Sequence, residues 1–245
     1  MKRYQILNTK MSVLNFLEGK NVLVFDTETT GLPERKNNKF GEYYPYYMSH
    51  KYDSSRMVSI AWKYIPNFSK TTMNSDDIQH FIRYPEDFYD IPNSHIHGIT
   101  YEHAQQTGIP FNDILEAGLY EAIKNCHYII AHNVLFDYHI LASELFRVDN
   151  ENLMATECVI KLNELINNKG LVCTGELGKD LCQLEFTNNY YNYNNSYGSP
   201  NAKRVKKYKM PKLVELYKHF YNTEFPNQHN ASGDVWALLE VMKLM

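Results

Sequence analysis

Hydrophobic and polar positions divide the chain into a first part rich in strands and a later part in which helices and strands alternate. Apolar or alternating runs at residues 22–25, 57–64 and 78–84 predict three strands packed as a meander. Helical spacing of apolar positions over residues 111–124 predicts an amphipathic helix, followed by an apolar strand that begins at Tyr128. Strands first, then alternating helix and strand, predict an α/β fold with a mixed sheet flanked by helices.

Two carboxylates lie where the first predicted strand gives way to a glycine-containing turn, in the stretch VFDTETTGL. Because the side chains of a strand alternate between its faces, Asp26 and Glu28 point the same way. Two adjacent like charges need a compensating cation, and oxygen ligands favour a hard metal such as Mg²⁺ or Mn²⁺. On its own an Asp-x-Glu pair is more often just the polar end of a strand, so a metal site requires acidic residues from elsewhere.

Two later segments supply further acidic residues near the starts of predicted helices. In YIIAHNVLFD an apolar strand runs into Asn133, a good helix N-cap residue, with Asp137 in the turn that follows. The segment HNASGD leads into an amphipathic pattern that places Asp234 in the first turn of a helix and His229 just upstream. Four carboxylates and a histidine are therefore candidates for one site.

These three segments together resemble the exonuclease motifs of the DEDD superfamily, histidine branch, which includes the proofreading exonuclease subunits and domains of replicative DNA polymerases. Weaker matches follow in RMVSIAW, HGIT and PKLVELY, so that the resemblance covers about residues 20–245. It implies a ribonuclease-H-like fold, with a mixed β-sheet flanked by helices. The implied activity is metal-dependent 3′→5′ hydrolysis of nucleic acid to nucleoside 5′-monophosphates, with single-stranded DNA carrying a free 3′ end as the favoured substrate.

The resemblance also implies a role for each acidic side chain and for one histidine. Asp26 would bridge two metal ions, Mg²⁺ or Mn²⁺, while Glu28 and Asp234 complete the nucleophile side and Asp137 serves the leaving-group side. His229 would be the general base, since imidazole titrates near neutral pH. A lone histidine before a helix is more often a cap or a packing residue, but its place in the matching motif favours the catalytic interpretation.

The turn after the acidic strand is implied to hold the terminal nucleotide. Backbone N–H groups of Thr29, Thr30 and Gly31 would meet the 3′ end of a strand, and Leu32 would wedge against the terminal base. The alternative is a plain strand-to-loop turn with one buried leucine. The HGIT match adds two further candidate substrate-binding residues, His97 and Ile99.

Length and charge narrow the class of protein. A chain of 245 residues is long enough for one sizeable α/β domain. Its formal net charge of −3 gives no global attraction to nucleic acid, so phosphate contacts would depend on bound metal and local basic patches. A basic run at 203–212, beside an Asn/Tyr-rich tract at 188–199, is either a basic arm beside the site or a solvated surface segment.

Domain boundaries follow from the same patterns. We predict an N-terminal extension over residues 1–20 and an exonuclease domain over 21–245, with insertion loops near 33–55 and 187–209. The N-terminus has no continuous apolar region, and no apolar run reaches membrane-spanning length. We therefore expect a soluble intracellular protein, cytoplasmic or nuclear, with no membrane partner.

Three functions stay open from the sequence. An RNA exonuclease is the nearest alternative to a DNA exonuclease, because the acidic residues and the histidine do not discriminate between sugars. A non-catalytic interaction module is the third, although such a module would be expected to lose a carboxylate and all four are present. The proofreading resemblance admits a DNA polymerase or repair partner, while the chain shows no polymerase or helicase motif of its own.

Overall fold

A mixed β-sheet forms the centre of the computed structural model. The model describes residues 13–38, 41–69, 73–86, 90–149, 169–186 and 208–245. Within these ranges the sheet has five strands, namely β1 (Val22–Thr29), β2 (Met57–Ile65), β3 (Gln79–Ile82), β4 (Tyr128–Ala131) and β5 (Gly170–Cys173). Their order across the sheet is β3-β2-β1-β4-β5. The first three strands pair antiparallel and the last two parallel, which confirms the predicted meander and mixed sheet.

Helices pack on both faces of this sheet. They are α1 (Val13–Leu17), α2 (Ser94–His97), α3 (Tyr101–Thr107), α4 (Phe111–Ile114), α5 (Tyr120–Asn125), α6 (Val134–Asp149), α7 (Thr174–Cys182), α8 (Leu213–Tyr221) and α9 (Ala231–Leu244). Leu23 and Phe25 point into a core shared with α4, α5 and α6, whereas Val22 and Val24 point into a second core shared with α8 and α9. The alternation of side chains along β1 thus joins both cores.

The predicted helix over residues 111–124 is present but is not uniform. A π-helical segment, Leu115–Leu119, joins α4 to α5, and Gly118 within it has a φ of +118°. Glycine adopts that backbone conformation without the steric cost that a Cβ would add. The apolar periodicity therefore predicted the extent of the element but not its wide central turn.

Strand β1 runs four residues past the apolar stretch from which it was predicted. Asp26 and Glu28 therefore lie inside the strand, where β2 continues to pair with β1 as far as Thr29. On the other edge, β4 pairs only with residues 22–24 of β1. Within the described ranges the acidic half of β1 consequently has a strand neighbour on one side and none on the other.

The predicted insertion and extension segments are described in part. The loop near 33–55 contains short 3₁₀ turns at Lys36–Asn38 and Ser49–Tyr52, and the ring of Tyr43 stacks on His139 of α6 at 4.9 Å. The loop therefore packs on α6. Leu17 of the segment 1–20 is buried in the same core as Val22. Most of the second loop, residues 187–207, lies outside the described ranges. No helix in the described part of the chain has the length and apolar character needed to cross a membrane.

Candidate metal and catalytic site

Three carboxylates converge from two elements that are far apart in sequence. Asp26 and Glu28 come from β1 and Asp234 from the first turn of α9, and one oxygen of each lies within 4.8 Å of the others. The start of α9 is fixed by Asn230, whose side chain accepts hydrogen bonds from the N–H groups of Ser232 (3.1 Å) and Gly233 (3.4 Å). The predicted helix start is confirmed, and it brings Asp234 to the acidic face of the strand.

The fourth carboxylate is hydrogen-bonded to β1 at the residue between Asp26 and Glu28. Asp137, in the first turn of α6, is almost fully buried. Its Oδ1 accepts hydrogen bonds from both the backbone N–H (3.1 Å) and the Oγ1 hydroxyl (2.8 Å) of Thr27. Thr27 lies beyond the residues of β1 that pair with β4. The Asp137 side chain therefore accepts the hydrogen bond that the backbone of a neighbouring strand would otherwise accept. Asp137 thus stands beside Asp26 and Glu28.

Burial and mutual repulsion disfavour the ionised form of these four carboxyl groups and so raise their pKa values. Burial is the main cause that raises the pKa of Asp26 well above its ordinary value, and the charges of Asp137, Asp234 and Glu28 raise it further. For the same leading reason the pKa of Glu28 rises to about 8, and those of Asp137 and Asp234 to about 7. A cation would relieve this repulsion, and an all-oxygen donor set fits Mg²⁺ or Mn²⁺.

His229 stands next to this cluster on a strained backbone. Its φ is +61°, a left-handed conformation that is uncommon for residues other than glycine. Its backbone N–H donates to the carboxylate of Asp234 and opposes the rise of that pKa, while the residue itself is exposed. Strain of this kind concentrates at functional sites. The predicted base is therefore anchored to the cluster by its main chain.

The turn after β1 is held by backbone contacts with the start of β2. The N–H of Thr30 donates to the carbonyl of Arg56 (2.9 Å), and the Oγ1 of Thr30 accepts the N–H of Arg56 (2.9 Å). The Thr30 N–H is thus used inside the sheet rather than offered to a substrate, which corrects that part of the prediction. The Oγ1 of Thr29 donates to the carbonyl of Gly31 (2.7 Å) and tightens the same turn.

Gly31 and Leu32 form the outer end of the turn. A Cβ at Gly31 would lie 2.6 Å from the carbonyl oxygen of Ser54, so only glycine permits this approach. The Ser54 hydroxyl also donates to the carbonyl of Leu32 (2.7 Å). The side chain of Leu32 is 62% exposed, so the alternative of a buried leucine is wrong. Its contact with a terminal base stays a prediction.

The HGIT segment brings one polar ring towards the site. His97 is only 7% exposed, and its Nδ1 accepts the N–H of Ile99 (3.2 Å), so the neutral ring carries its proton on Nε2. Among the described residues Nε2 has no hydrogen bond of acceptable geometry. Burial lowers the pKa of His97, while the nearby Thr29 carbonyl opposes that shift. Ile99 is buried beside Val58, and its substrate contact stays a prediction.

Sequence reasoning missed the partner of Asn133. The hydroxyl of Tyr43 hydrogen bonds to the Asn133 side chain, and Asn133 has a φ of +67° directly before α6. Asparagine tolerates left-handed backbone better than most residues, which accounts for its presence there beyond helix capping. No sequence signal could have linked the two residues, because the loop that carries Tyr43 shows no periodicity.

A buried ion cluster behind the site was also missed. Glu144 of α6 accepts from the Nε (2.8 Å) and Nη2 (3.0 Å) of Arg56, forms an ion pair with Arg83 (2.7 Å) and accepts the N–H of Met57 (3.0 Å). Burial alone would raise the pKa of Glu144, but the two arginines and the hydrogen bonds lower it to about 2. Glu144 lies seven residues after Asp137, on the same helical face.

The basic run predicted over 203–212 falls mostly outside the described residues, as does the Asn/Tyr-rich tract. Of its described members, Lys209 donates to the Oε1 of Glu215 at 2.6 Å. The Oε2 of Glu215 accepts the backbone N–H of Lys212 at 2.8 Å. These contacts fix the start of α8.

Comparisons with known proteins yield structural likeness without sequence matches. No protein-family model matches the chain, and no curated protein matches it significantly. Solved structures that resemble it include E. coli exonuclease I in complex with a dT13 oligonucleotide (TM-score 0.57, 17% identity, 92% of this chain and 40% of that one). The zinc-bound complex of the E. coli enzyme with single-stranded DNA gives a TM-score of 0.55 at 17% identity, covering 93% and 40%. Exonuclease I from Methylocaldum szegediense gives 0.54 at 14% identity, covering 92% and 40%.

The sequence identity and the share of each chain that is aligned determine what this structural likeness shows. The chain spans about two-fifths of the length of these exonucleases. None of the three is a polymerase proofreading subunit, so that narrower part of the resemblance receives no support from them. At these identities the likeness concerns architecture, and the chain has the α/β, ribonuclease-H-like fold found in exonuclease I.

Proposed function

We propose that this chain is a metal-dependent 3′→5′ exonuclease of the DEDD superfamily, histidine branch, that degrades single-stranded DNA to nucleoside 5′-monophosphates. The observation that carries the proposal is the convergence of Asp26, Glu28 and Asp234 within 4.8 Å, with Asp137 bonded to the strand between the first two. Its structural likeness to an exonuclease complexed with dT13 adds support for the substrate class.

Two divalent cations, Mg²⁺ or Mn²⁺, held by the four carboxylates would stabilise the charge that develops on the attacking and leaving oxygens. The raised pKa values of Asp26, Glu28, Asp137 and Asp234 fit this assignment, because a site built for cations is unfavourable without them. Asp137 is oriented by the two hydrogen bonds that its Oδ1 accepts from Thr27.

His229 takes the proton of the attacking water in this proposal. Its backbone N–H is bonded to Asp234, so the main chain of His229 is held beside the cluster, while its exposure gives the ring room to turn towards the scissile phosphate. A neutral imidazole is suited to this task because its ordinary pKa lies close to the pH of reaction.

The terminal nucleotide would lie between the Thr29–Leu32 turn and His97. Leu32 offers an exposed apolar side chain for the terminal base. The ring of His97 is oriented by the N–H of Ile99 and by the Thr29 carbonyl, so His97 would position the turn that receives this nucleotide. Because the Thr30 N–H is bonded to Arg56, Thr30 would act by holding the turn in shape.

Digestion of matched oligonucleotides tests the proposal. Single-stranded DNA and RNA of one sequence, each with a free or a phosphorylated 3′ end, are incubated with Mg²⁺ or EDTA, and the products are separated by chromatography. We expect 5′-mononucleotides from the DNA with a free 3′ end in Mg²⁺ and none in EDTA. Faster release from RNA would assign the chain to RNA, and full activity in EDTA would refute the metal-dependent mechanism.

A further inference from the structure

The loop between β1 and β2 packs on the side of α6 that faces away from the carboxylates. Asp137 bonds to Thr27 of β1, and His139 follows Asp137 by two residues. At 3.6 residues per turn, two residues correspond to about 200° of rotation, so His139 lies on nearly the opposite side of the helix. There it meets residues 41–55, which we call the tyrosine loop. None of the roles proposed above involves this contact.

The ring of His139 is held by three tyrosines of that loop. The ring of Tyr43 stacks on it, with centroids 4.9 Å apart and planes inclined by 22°. The hydroxyl of Tyr52 donates to the carbonyl of Tyr44, so it accepts the Nδ1–H of His139 at 3.1 Å. Tyr52 itself is almost fully buried. The contact therefore fixes both the plane and the tautomer of the imidazole.

The tyrosine loop contacts α6 again two turns later. Phe146 follows the stacked histidine by seven residues and so lies on the same side of the helix, with its ring 6.4 Å from that of Tyr46. The guanidinium of Arg147 donates to the carbonyl of Ser49 and to the carboxylate of Asp53 (2.7 Å). The loop thus supports about two turns of α6 from the side opposite β1.

The tyrosine loop is also fixed to the turn that follows β1. The backbone N–H of Glu34 donates to the carbonyl of Lys51 (3.0 Å), and the two side chains form an ion pair at 2.7 Å. The hydroxyl of Ser54 donates to the carbonyl of Leu32 (2.7 Å). An exposed ion pair contributes little by itself, but these bonds close the loop at its base. A loop anchored in this way limits the movement of a helix that packs on it.

Asp137 depends on the position of α6 because its own bonds to the sheet are few. Its Oδ1 accepts two hydrogen bonds from Thr27, while the strand β4 pairs only with residues 22–24 of β1. If α6 moved away from β1, these two bonds would break and the carboxylate would leave the cluster. A misplacement of about 1 Å at an active site can lower a rate by about 10²-fold. The tyrosine loop lies where it opposes that movement.

We propose that the tyrosine loop holds Asp137 in its catalytic position by pressing α6 against β1, with His139 and Tyr43 as the positioning residues. This inference rests on the proposed function, in which the family resemblance assigns Asp137 to the leaving-group side. The loop touches neither metal nor substrate in this account. Its loss should therefore slow the departure of the 3′ oxygen and leave the attack of water largely unchanged.

Two substrates that differ in their leaving group test the inference. A DNA oligomer releases a strongly basic sugar oxygen, whereas the 4-nitrophenyl ester of thymidine 5′-monophosphate releases nitrophenolate, a weak base that departs with little help from a cation. In both reactions water attacks phosphorus, the bond from phosphorus to the leaving oxygen breaks, and a nucleoside 5′-monophosphate forms. The proteins are the full chain, His139→Ala, His139→Phe, Tyr43→Ala and Asp137→Asn, with Tyr47→Ala, at a 57% exposed tyrosine of the same loop, as the matched control.

We expect His139→Ala and Tyr43→Ala to lower kcat on the oligomer about tenfold or more, with KM changed by less than about threefold. On the ester, kcat should fall by less than about threefold. Asp137→Asn should show the same selectivity with a larger loss. His139→Phe keeps a ring against Tyr43 and should retain most of the rate, and Tyr47→Ala should match the full chain. Melting temperatures check that each variant folds.

Losses of equal size on the two substrates in His139→Ala and Tyr43→Ala, or unchanged rates in both, would overturn the inference. If His139→Ala does not fold, Tyr43→Ala decides alone, because it removes the stack from the side of the loop. Equal losses in Asp137→Asn would show that the leaving-group role of Asp137 is wrong, and the inference would fall with it. If the full chain cleaves neither substrate in Mg²⁺, the proposed function itself fails.

Discussion

Asp26 lies on a buried strand close to three other carboxylates, so its negative charge is costly in the metal-free protein. The folded state therefore holds protons on this cluster more tightly than the unfolded chain does. Stability from this source is present at pH below the ordinary carboxyl pKa values, 3.8 for aspartate and 4.5 for glutamate. It is lost as pH rises towards 8, where Glu28 ionises.

Substitution of Asp26→Asn should abolish nuclease activity and raise the melting temperature of the metal-free protein. Activity should be lost because one of the carboxylates proposed to hold the metal is removed, and stability should rise because one of four mutually repelling charges is removed. Thermal unfolding in EDTA at pH 5 and pH 8 measures the second effect, and the difference between the two pH values should shrink. Asp113→Asn, at an exposed position, is the control. Activity within tenfold of the full chain would refute the metal-site assignment.

His229→Ala should reduce the rate about 10²–10⁴-fold, the usual contribution of a positioned general base. The backbone N–H that bonds Asp234 survives the substitution, so metal affinity, measured as the Mg²⁺ concentration for half-maximal rate, should change little. The acidic limb of the pH–rate profile should also flatten. His103→Ala, at an exposed helical position, serves as control. An unchanged rate would return His229 to a structural role.

At the scale of single residues, the sequence predicted best those positions that strand alternation or helix capping determines. Alternation along a strand placed Asp26 and Glu28 on one face, and helix-start chemistry placed Asp234 in a first turn. The contact of Tyr43 with Asn133 depends on how a loop without periodicity folds back, and no local rule describes that.

Among the elements, α6 contributes to the site at two points on one face. Asp137 bonds to β1 through Thr27, and two helical turns later Glu144 binds Arg56 at the start of β2. The backbone of Arg56 holds Thr30, so the ion cluster fixes both α6 and the turn after β1. The bidentate geometry and full burial set this pair apart from surface ion pairs, which contribute little.

Glu144→Gln should destabilise the protein by about 3–5 kcal/mol, the usual cost of removing one partner from a buried ion pair. Urea unfolding measures this loss, and the rate of hydrolysis should fall because Asp137 and Thr30 lose a common support. Glu121→Gln, which breaks the exposed pair with Lys124, should change stability little. Equal effects of the two substitutions would contradict this account of α6.

The pH dependence of Glu144 has the opposite sign to that of the carboxylate cluster. Its pKa is lowered from 4.5 to about 2 in the folded protein, so its stabilising effect is complete above pH 4.5 and is lost as the pH falls towards 2. In Glu144→Gln the fall in unfolding free energy between pH 5 and pH 3 should be smaller. The ion cluster was not predictable, because Glu144, Arg56 and Arg83 are separated by long stretches of chain and become neighbours only through strand register.

For the whole molecule, the sequence predicted four of the five described strands, the meander of the first three and the mixed sheet, because those strands have apolar or alternating patterns. It did not predict β5, whose four residues are too short a run to show a pattern, and so it did not give the full strand order. The length of β1 was underestimated, since its polar half is a strand only by virtue of pairing with β2. Pairing with a neighbouring strand can therefore extend a strand over residues whose own β-propensity is low.

A free 3′ end should be required by this arrangement. The turn at Gly31 is closed against Ser54, and Leu32 projects beside it, so the site is expected to seat a chain end rather than a continuous strand. Linear single-stranded DNA and its ligated circle of the same sequence, incubated with Mg²⁺ and resolved on a denaturing gel, provide the measurement. The linear form should shorten while the circle persists. Rapid nicking of the circle would indicate an endonuclease instead.

The bond between Thr27 and Asp137 makes one backbone amide a reporter of the site. In the interior of a sheet an amide proton is normally protected from exchange with solvent by the neighbouring strand, but that of Thr27 is bonded to the Asp137 side chain, beyond the residues of β1 that pair with β4. Its exchange rate therefore reports whether α6 is packed against β1, and not whether the sheet is intact. Slow exchange at Thr27 would mark a molecule in which the Asp137 carboxylate is bonded to β1, and fast exchange, with the other β1 amides still protected, one in which it has moved away.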